Sequence, residues 1–556
     1  MTNAVLKTLA NDKRVRSATP QRTRTPGRVD EVKNNAGGFV FKVSDRDRLE
    51  RFLILGTDGG TYYTGEQKMT EQAIAFLRKM VKSDEALVLN TAVNVSETGR
   101  AYRNSPALFA LALVLAEGVN KKAAQAAVQK VARTSTHLFE FASYIESLGG
   151  WGRGKRKAVA AWYEDKDAGA LAYQAVKYRQ RDGWTHRDLM RLSHPEGVDN
   201  TVGGFILGKT DNLVADGVPT ILQGFAEMQR AVSEKEVLCV LGQHKNLPWE
   251  TIPTQFLKSE KVWKTLFYNG QLNGQALVRN ITRLARLEAF KDMQFAADFA
   301  ARLTDGEMIA ATKLHPINFL NAAVVYSDGQ VPRGNTDRYG YRFGRVKDWT
   351  SESVITDAIN DGYYEAFKHV EPARKRTMLA VDVSGSMSSP AMGLDLSCAQ
   401  VSGALAMTVA RTEPAHIIRG FTTGSGGYGY GRGNSQLTDL GISAKTPLAT
   451  AMKSVQKSNF GGTDCAQPML WALENKVDVD TFVVITDNET WAGSIKPTQA
   501  LKKYRDATGI AARLAVFGLS GTPFTIADST DSGQMDFVGC DSNGPKVLAD
   551  FSAGRL

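Results

Sequence analysis

Thr377-Met378-Leu379-Ala380-Val381-Asp382-Val383-Ser384-Gly385-Ser386 is an apolar run that ends in one carboxylate and two hydroxyls on a glycine-containing turn. An uninterrupted apolar run of this length reads as a strand buried on both faces, as in a parallel sheet. The polar cluster then falls at the strand's carboxyl end, where open α/β sheets bind their ligands.

The pattern continues outward from there. Leu394 to Arg411 predicts a helix, His416 to Thr422 a second strand, and Pro447 to Ser458 and Ala466 to Glu474 further helices. Thr481 to Thr486 predicts a third strand, Pro497 to Thr508 a helix and Arg513 to Leu519 a fourth strand. Alternation of this kind describes a doubly wound, Rossmann-like α/β domain. Two later loops return oxygen to the same sheet edge: Gly461-Gly462-Thr463-Asp464, and Thr486-Asp487-Asn488-Glu489 after the third strand. Asp382, Ser384, Ser386, Thr463 and Asp487 are therefore the candidate metal-binding residues, with Asp487 reaching the ion directly or through water. An all-oxygen donor set suits a hard divalent cation, Mg²⁺ or Mn²⁺. The two serines face a cation site rather than a His–Asp pair, so hydrolysis is not indicated and no catalytic residue is assigned.

Upstream the pattern changes class. From Phe39 to about Tyr326 helical segments follow one another, among them Met69 to Val81, Ser105 to Ala116 and Asn120 to Arg133. An all-α stack is expected, though no clean repeat period stands out. Residues 1–36 are polar and rich in Pro, Thr and Arg, as expected of a flexible basic arm. Ser327 to Arg376 reads as a connector with a helix from Ser353 to Lys368. The domain division expected is 1–36, 37–370 and 371–556.

With 556 residues the chain is too long for one core. Its net charge is +10, yet from Thr377 onward it carries 14 Lys and Arg against 16 Asp and Glu, so the part upstream carries +12. A basic domain joined to a slightly acidic one suggests a polyanionic partner for the first. The apolar run Ala107–Ala116 is too short to span a bilayer, so no membrane association is expected. The four cysteines, Cys239, Cys398, Cys465 and Cys540, have neither disulfide-framework nor metal-ligand spacing, as in a cytoplasmic protein.

Two basic stretches stand out in the helical part. One is Trp151-Gly152-Arg153-Gly154-Lys155-Arg156-Lys157; the other runs from Lys177 to His194. In the second, Ala170 to Arg181 reads as a helix with Lys177 and Arg181 on one outward face. Gly183 ends it, and Thr185 caps the next helix with Asp188 as its capping-box partner. Arg187 and Arg191 again share a face. Helix N-termini beside Arg and Lys suit phosphate, and Tyr178, Trp184 and His186 could stack on unpaired bases. The same spacing also fits an ordinary solvated basic face whose aromatic residues belong to the core, with His186 a capping or packing residue.

Arg51-Phe52-Leu53 with Gly59-Gly60-Thr61-Tyr62-Tyr63, Trp151-Gly152-Arg153, the Lys177-to-His194 stretch and Leu314-His315-Pro316 together resemble the TROVE module of the Ro ribonucleoprotein family. The Asp382, Thr463 and Asp487 loops match the metal-ion-dependent adhesion site of von Willebrand A domains. The resemblance covers residues from about 37 to the C-terminus. It implies a ring of HEAT-like helical repeats followed by an A-like domain, in a monomeric, non-enzymatic RNA-binding scaffold of the bacterial type. It further implies small Y-like RNAs on the outer basic surface and single-stranded ends of misfolded RNAs in the central hole. RNA quality control, maturation or decay would follow with an exoribonuclease such as polynucleotide phosphorylase. The RNA-binding residues it points to are His186, Arg187, Lys177, Arg181, Arg179, Arg191, Arg153, Lys155 and Arg156. Thr185 and Arg187 stand where the eukaryotic relatives have Ser and Lys; Arg for Lys keeps the charge but not the contact geometry. The Gly-rich loop from Thr423 to Gly433 is unlike those relatives. The alternative reading is a metal-dependent protein-interaction module with incidental RNA binding.

Overall fold

The computed structural model describes residues 18–209, 213, 217–336, 342–367, 370–392, 394, 396–422, 437–456 and 461–556. Two compact units are present: residues 1–74 with 369–556, and residues 75–368. The Gly-rich loop lies outside the described residues.

Among the described residues twelve strands occur in chain order: β1 (Glu31–Lys33), β2 (Phe39–Lys42), β3 (Gln180–Arg181), β4 (Trp184–Thr185), β5 (Gln330–Thr336), β6 (Arg342–Lys347), β7 (Thr377–Asp382), β8 (His416–Phe421), β9 (Thr481–Thr486), β10 (Arg513–Gly518), β11 (Phe524–Thr525) and β12 (Gln534–Val538). The first unit is built on a five-stranded, wholly parallel sheet in the order β12-β10-β9-β7-β8. Every residue of β7 and of β9 is buried, as their apolar runs require. Met378, Ala380, Phe482, Val484, Leu514 and Val516 point to one face, where Met469, Ala472, Leu501 and Tyr504 from two helices meet them. The Cys398–Thr412 helix packs along β7. The predicted strands and helices are present to within a few residues. β12 and the Gly544–Ala553 helix were not foreseen.

The expected arm is different. Residues 1–17 lie outside the described residues, but from residue 18 the segment is strapped onto the parallel-sheet unit. Thr19, Gln21, Glu31 and Asn34 are buried. β1 and β2 form a hairpin, and β2 pairs with β11 in a separate three-stranded antiparallel sheet. The strap is held by polar groups rather than by an apolar run. The Gln21 amide donates to Asp464 Oδ1 (2.7 Å), and the Asn34 amide donates to Thr490 O (2.8 Å). Lys496 donates to Phe39 O (2.8 Å) and lies 3.5 Å from the Glu31 carboxylate. At Gly38 the backbones come so close that a Cβ would sit 1.9 Å from Thr490 O. Arg51 on the Asp45–Leu55 helix is fully buried and donates to Asp536 Oδ2 (2.5 Å) and to Thr522 O and Phe524 O (both 2.8 Å).

The second unit is helical, apart from the short β3–β4 and β5–β6 hairpins. Consecutive helices pack on one another along the chain, as in Glu85–Thr98 with Ser105–Glu117 and Pro316–Asp328 with Ser353–Glu365. Polar side chains tie neighbours through main-chain carbonyls: Gln125 and Gln129 donate to Gly154 O (3.0 Å) and Ala158 O (2.9 Å), and Asn269 to Leu241 O (2.9 Å). The far end of the array meets its beginning. Lys313 Nζ donates to Glu97 O (2.5 Å), and His315 Nε2 bonds to Arg100 O (3.2 Å). The connector contains the β5–β6 hairpin, which its Gly and Pro residues had masked. No helix among the described residues is long and apolar enough to cross a membrane.

Breaking a buried, hydrogen-bonded ion pair by removing one partner destabilises by about 3–5 kcal/mol. Arg51→Leu, which leaves Asp536 without its guanidinium, should therefore lower the urea midpoint of the parallel-sheet unit by a corresponding amount. An unchanged midpoint would show that this contact does not hold the strap.

Candidate nucleic-acid interface and candidate metal centre

The two basic stretches are brought side by side. Trp151 and Trp184 meet edge to face with ring centroids 5.4 Å apart, which sets the start of the Arg153–Glu164 helix beside the β3–β4 hairpin. Arg153, Arg156 and Lys157 are exposed on that helix. The Thr185 cap forms as expected: its hydroxyl accepts from Asp188 N (3.2 Å), and Asp188 accepts in turn from Thr185 N (3.0 Å). Arg187 and Arg191 are exposed on the following His186–Ser193 helix. Lys157 belongs to this exposed basic set; its place beside Arg156 in the quoted run was the available signal.

Several expected residues are placed differently. The predicted helix to Arg181 ends at Lys177. Asp182 and Gly183, with φ of 53° and 80°, make a two-residue hairpin turn instead. Arg181 is therefore on a strand, exposed beside Asp182 (3.5 Å), and shares no helix face with Lys177. Arg179 is exposed with its guanidinium 5.5 Å from the centre of the Phe225 ring. Lys177 is half-buried and donates to the Tyr173 hydroxyl (3.2 Å) over the Tyr173 and Tyr178 rings. Lys155 is buried, donating to Leu148 O (2.7 Å) and Gly150 O (2.9 Å), carbonyls just beyond the Ser135–Ser147 helix. His186 is only 4% exposed. Its Nδ1 bonds to the Tyr163 hydroxyl (2.9 Å), and its ring packs against Phe139, Trp162 and Tyr163. Burial lowers its pKa to about 4, so the ring is neutral at pH 7. Packed there, it holds the start of the helix that carries Arg187 and Arg191.

The five candidate metal ligands do converge, all within the parallel-sheet unit and all buried. Ser384 N donates to Asp382 Oδ1 (2.9 Å), while Thr486 Oγ1 donates to Asp382 Oδ2 (2.6 Å). Thr463 Oγ1 donates to Ser384 Oγ (2.9 Å), and Ser384 and Ser386 share a hydrogen bond (3.2 Å). Ser386 in turn bonds to Asp487. Burial, then the nearby Asp487, pushes Asp382 up to about 7, and burial raises Asp487 too. Among the described residues neither carboxylate has an ion-pair partner. Two uncompensated buried carboxylates ringed by three hydroxyls fit a hard divalent cation, which would supply the missing positive charge. Sequence reasoning missed the supports. Thr486 orients Asp382, while Asn35 Nδ2 (2.6 Å) and Ala36 N (3.0 Å) hold the Glu489 carboxylate beside Asp487.

Comparison with known proteins finds two family models along the chain. The family model described as the Ro60 vWA domain matches residues 376–552, and the TROVE domain matches residues 32–235 and 243–337. A Deinococcus radiodurans relative named RNA-binding protein RO60 is 38% identical over 555 residues, covering 98% of this chain and 99% of its own. The chain belongs to the Ro60 family. Its Caenorhabditis elegans relative of the same name is 29% identical, covering 99% of this chain and 95% of its own. The crystal structure of the Deinococcus radiodurans RO (RSR) protein superposes with a TM-score of 0.65 at 36% identity, over 92% of this chain and all of the other. The expected TROVE and A-like architecture of Ro60 proteins is thus confirmed.

A raised folded-state pKa means that the folded chain holds a proton the unfolded chain has released. Without metal, the Asp382 contribution to stability should fall as pH climbs from the usual carboxylate range, about 4, towards about 7. Thermal melts in EDTA should show this decline, and Asp382→Asn should flatten it. An equal slope in the variant would remove Asp382 as its source.

Proposed function

We propose that this chain is an RNA-holding scaffold and not an enzyme. It carries small Y-like RNAs on the basic face of its helical unit and single-stranded ends of misfolded or structured RNAs in the central hole of a ring. It passes them to a partner exoribonuclease, such as polynucleotide phosphorylase, for quality control, maturation or decay. It does so as a cytoplasmic monomer, a location in keeping with its four free cysteines. An Mg²⁺ or Mn²⁺ ion at Asp382, Ser384, Ser386, Thr463 and Asp487 belongs to the same reading.

The observation that carries it is the pairing of Trp151 with Trp184, which sets the helix bearing exposed Arg153 and Arg156 beside the hairpin that leads into the helix bearing exposed Arg187 and Arg191. Guanidinium groups so placed hold phosphates through bidentate bonds. The relatives' names, RNA-binding protein RO60, point the same way. The serines at the sheet edge bond to one another, to Thr463 and to Asp487, not to a His–Asp pair, in keeping with a non-catalytic role. The second reading is a metal-dependent protein-interaction module. It is favoured by the cleft above Ser386 and Asp487, and it predicts a protein pull-down that EDTA abolishes and salt does not.

Replacing Arg153, Arg156, Arg187 and Arg191 together by Gln should weaken binding of a structured RNA in a mobility-shift titration. It should also make the slope of log affinity against log salt shallower by about 2–4, roughly 0.9 for each phosphate no longer neutralised. His186→Gln should lower the melting temperature yet leave RNA affinity near that of the parent. Parental affinity and slope in the arginine variant would reject the surface; a drop in affinity in folded His186→Gln would restore a direct role for the ring.

A further inference from the structure

Two loops carry candidate ligands to the sheet edge, and a distant piece of chain ties them together. In the first loop Thr463 is followed by Asp464 and Cys465; in the second Asp487 is followed by Asn488, Glu489 and Thr490. Gln21 of the strap is fully buried and bonds to both. Its Nε2 donates to Asp464 Oδ1 (2.7 Å), and its Oε1 accepts from Thr490 Oγ1 (2.5 Å). Thr490 Oγ1 accepts in turn from Cys465 N (3.1 Å), which closes a circuit of hydrogen bonds across the two loops. The main chain of Gln21 is committed as well: its N donates to Gly493 O (2.9 Å), and its O accepts from Phe39 N (2.7 Å). A second arm of the strap reaches the Asp487 loop. Asn34 Nδ2 donates to Thr490 O (2.8 Å), while Asn35 Nδ2 (2.6 Å) and Ala36 N (3.0 Å) donate to the Glu489 carboxylate. Glu489 is fully buried, and its own N donates to Asp487 Oδ1 (3.0 Å). The residue that the strap grips therefore also orients a candidate ligand.

We propose that Gln21 is a positioning residue of the cation site, and that ion uptake and docking of residues 18–42 are reciprocally coupled. Gln21 sets the spacing of the Thr463 and Asp487 loops, and residues 34–36 set the direction of Asp487 through Glu489. An ion that requires both loops in register favours the docked strap; a docked strap presents the ligands already placed. Partners of this outer kind govern metal affinity because they fix the orientation of the inner oxygens. Coupling of two equilibria through one geometry runs equally in both directions. The proposal rests on the metal reading above.

The test is calorimetric titration of the full chain with Mn²⁺, joined to amide hydrogen exchange read by mass spectrometry. The parent chain should take up one ion and Asp382→Ala none. Gln21→Met keeps the side-chain length and removes both polar groups; its Mn²⁺ affinity should fall about 10-fold. Arg28→Gln is the control for general loosening. Arg28 holds the same strap to Asp528 (2.7 and 2.9 Å), which belongs to neither loop, so this variant should keep the parental affinity. Saturating Mn²⁺ should slow exchange across residues 18–42 about 10-fold in the parent chain, the reciprocal of the affinity effect, and leave Asp382→Ala unchanged. Should Gln21→Met fail to fold, Asn35→Ala, at an exposed position, takes its place; it should bind Mn²⁺ more weakly at an unchanged apo melting temperature. Parental affinity in the folded variant, equal losses in Gln21→Met and Arg28→Gln, or exchange in the parent chain that ignores Mn²⁺ would overturn the coupling and leave the metal site standing. Absence of uptake by the parent chain, or equal uptake by Asp382→Ala, would reject the metal reading and the coupling with it.

Discussion

Asp382 and Asp487 are two carboxyl groups buried close together at the edge of one sheet. Isolated charges of this kind are expensive in a protein interior, and each must be stabilised by donors or by a counter-charge. Much of the parallel-sheet unit can be understood as the provision of those donors. β7 and β9 end at the same sheet edge and deliver the two carboxylates; the turn after β7 and the loop before Cys465 bring hydroxyls. A further layer holds that inner set in place. Gln21 bridges Asp464 and Thr490, and residues 34–36 brace the loop that follows β9. The strap is thus part of the architecture that makes a costly charge arrangement persist.

The helical unit sorts the cations of its two basic stretches, some turned inward and some left in water. Lys155, Lys177 and His186 sit within the basic motifs but are consumed by carbonyls, tyrosines and ring contacts. The arginines between them remain at the surface. This sorting has a physical basis. A lysine ammonium readily satisfies helix-end carbonyls, and a neutral imidazole fits an aromatic cage. Guanidinium groups keep a planar fork for phosphate.

Patterns that depend on apolar periodicity were legible in the sequence. The parallel strands, their helices and the carboxylate–hydroxyl loops stood out because β7 and β9 are apolar throughout and their polar groups fall at fixed ends. The Thr185–Asp188 box was readable because capping is local. What stayed hidden was non-local or polar. Residues 18–36 look like a solvated arm, since Gln21 and Asn34 find their partners more than 440 residues away. The helix running to Arg181 was overruled by one Asp-Gly turn. The burial of His186 depends on Phe139 and Trp162, which arrive from two other helices.

The parallel-sheet unit draws on both flanks of the helical one, and this bears on how the molecule is made. During synthesis β1, β2 and the Arg51 helix emerge long before the strands and loops that receive them. The helical unit, whose neighbours in space are mostly neighbours in sequence, is able to condense first. The early segment must meanwhile wait with its polar hooks unfilled. A fragment that starts at β7 would contain the whole parallel sheet and all five candidate ligand side chains, yet lack the brace that steadies them.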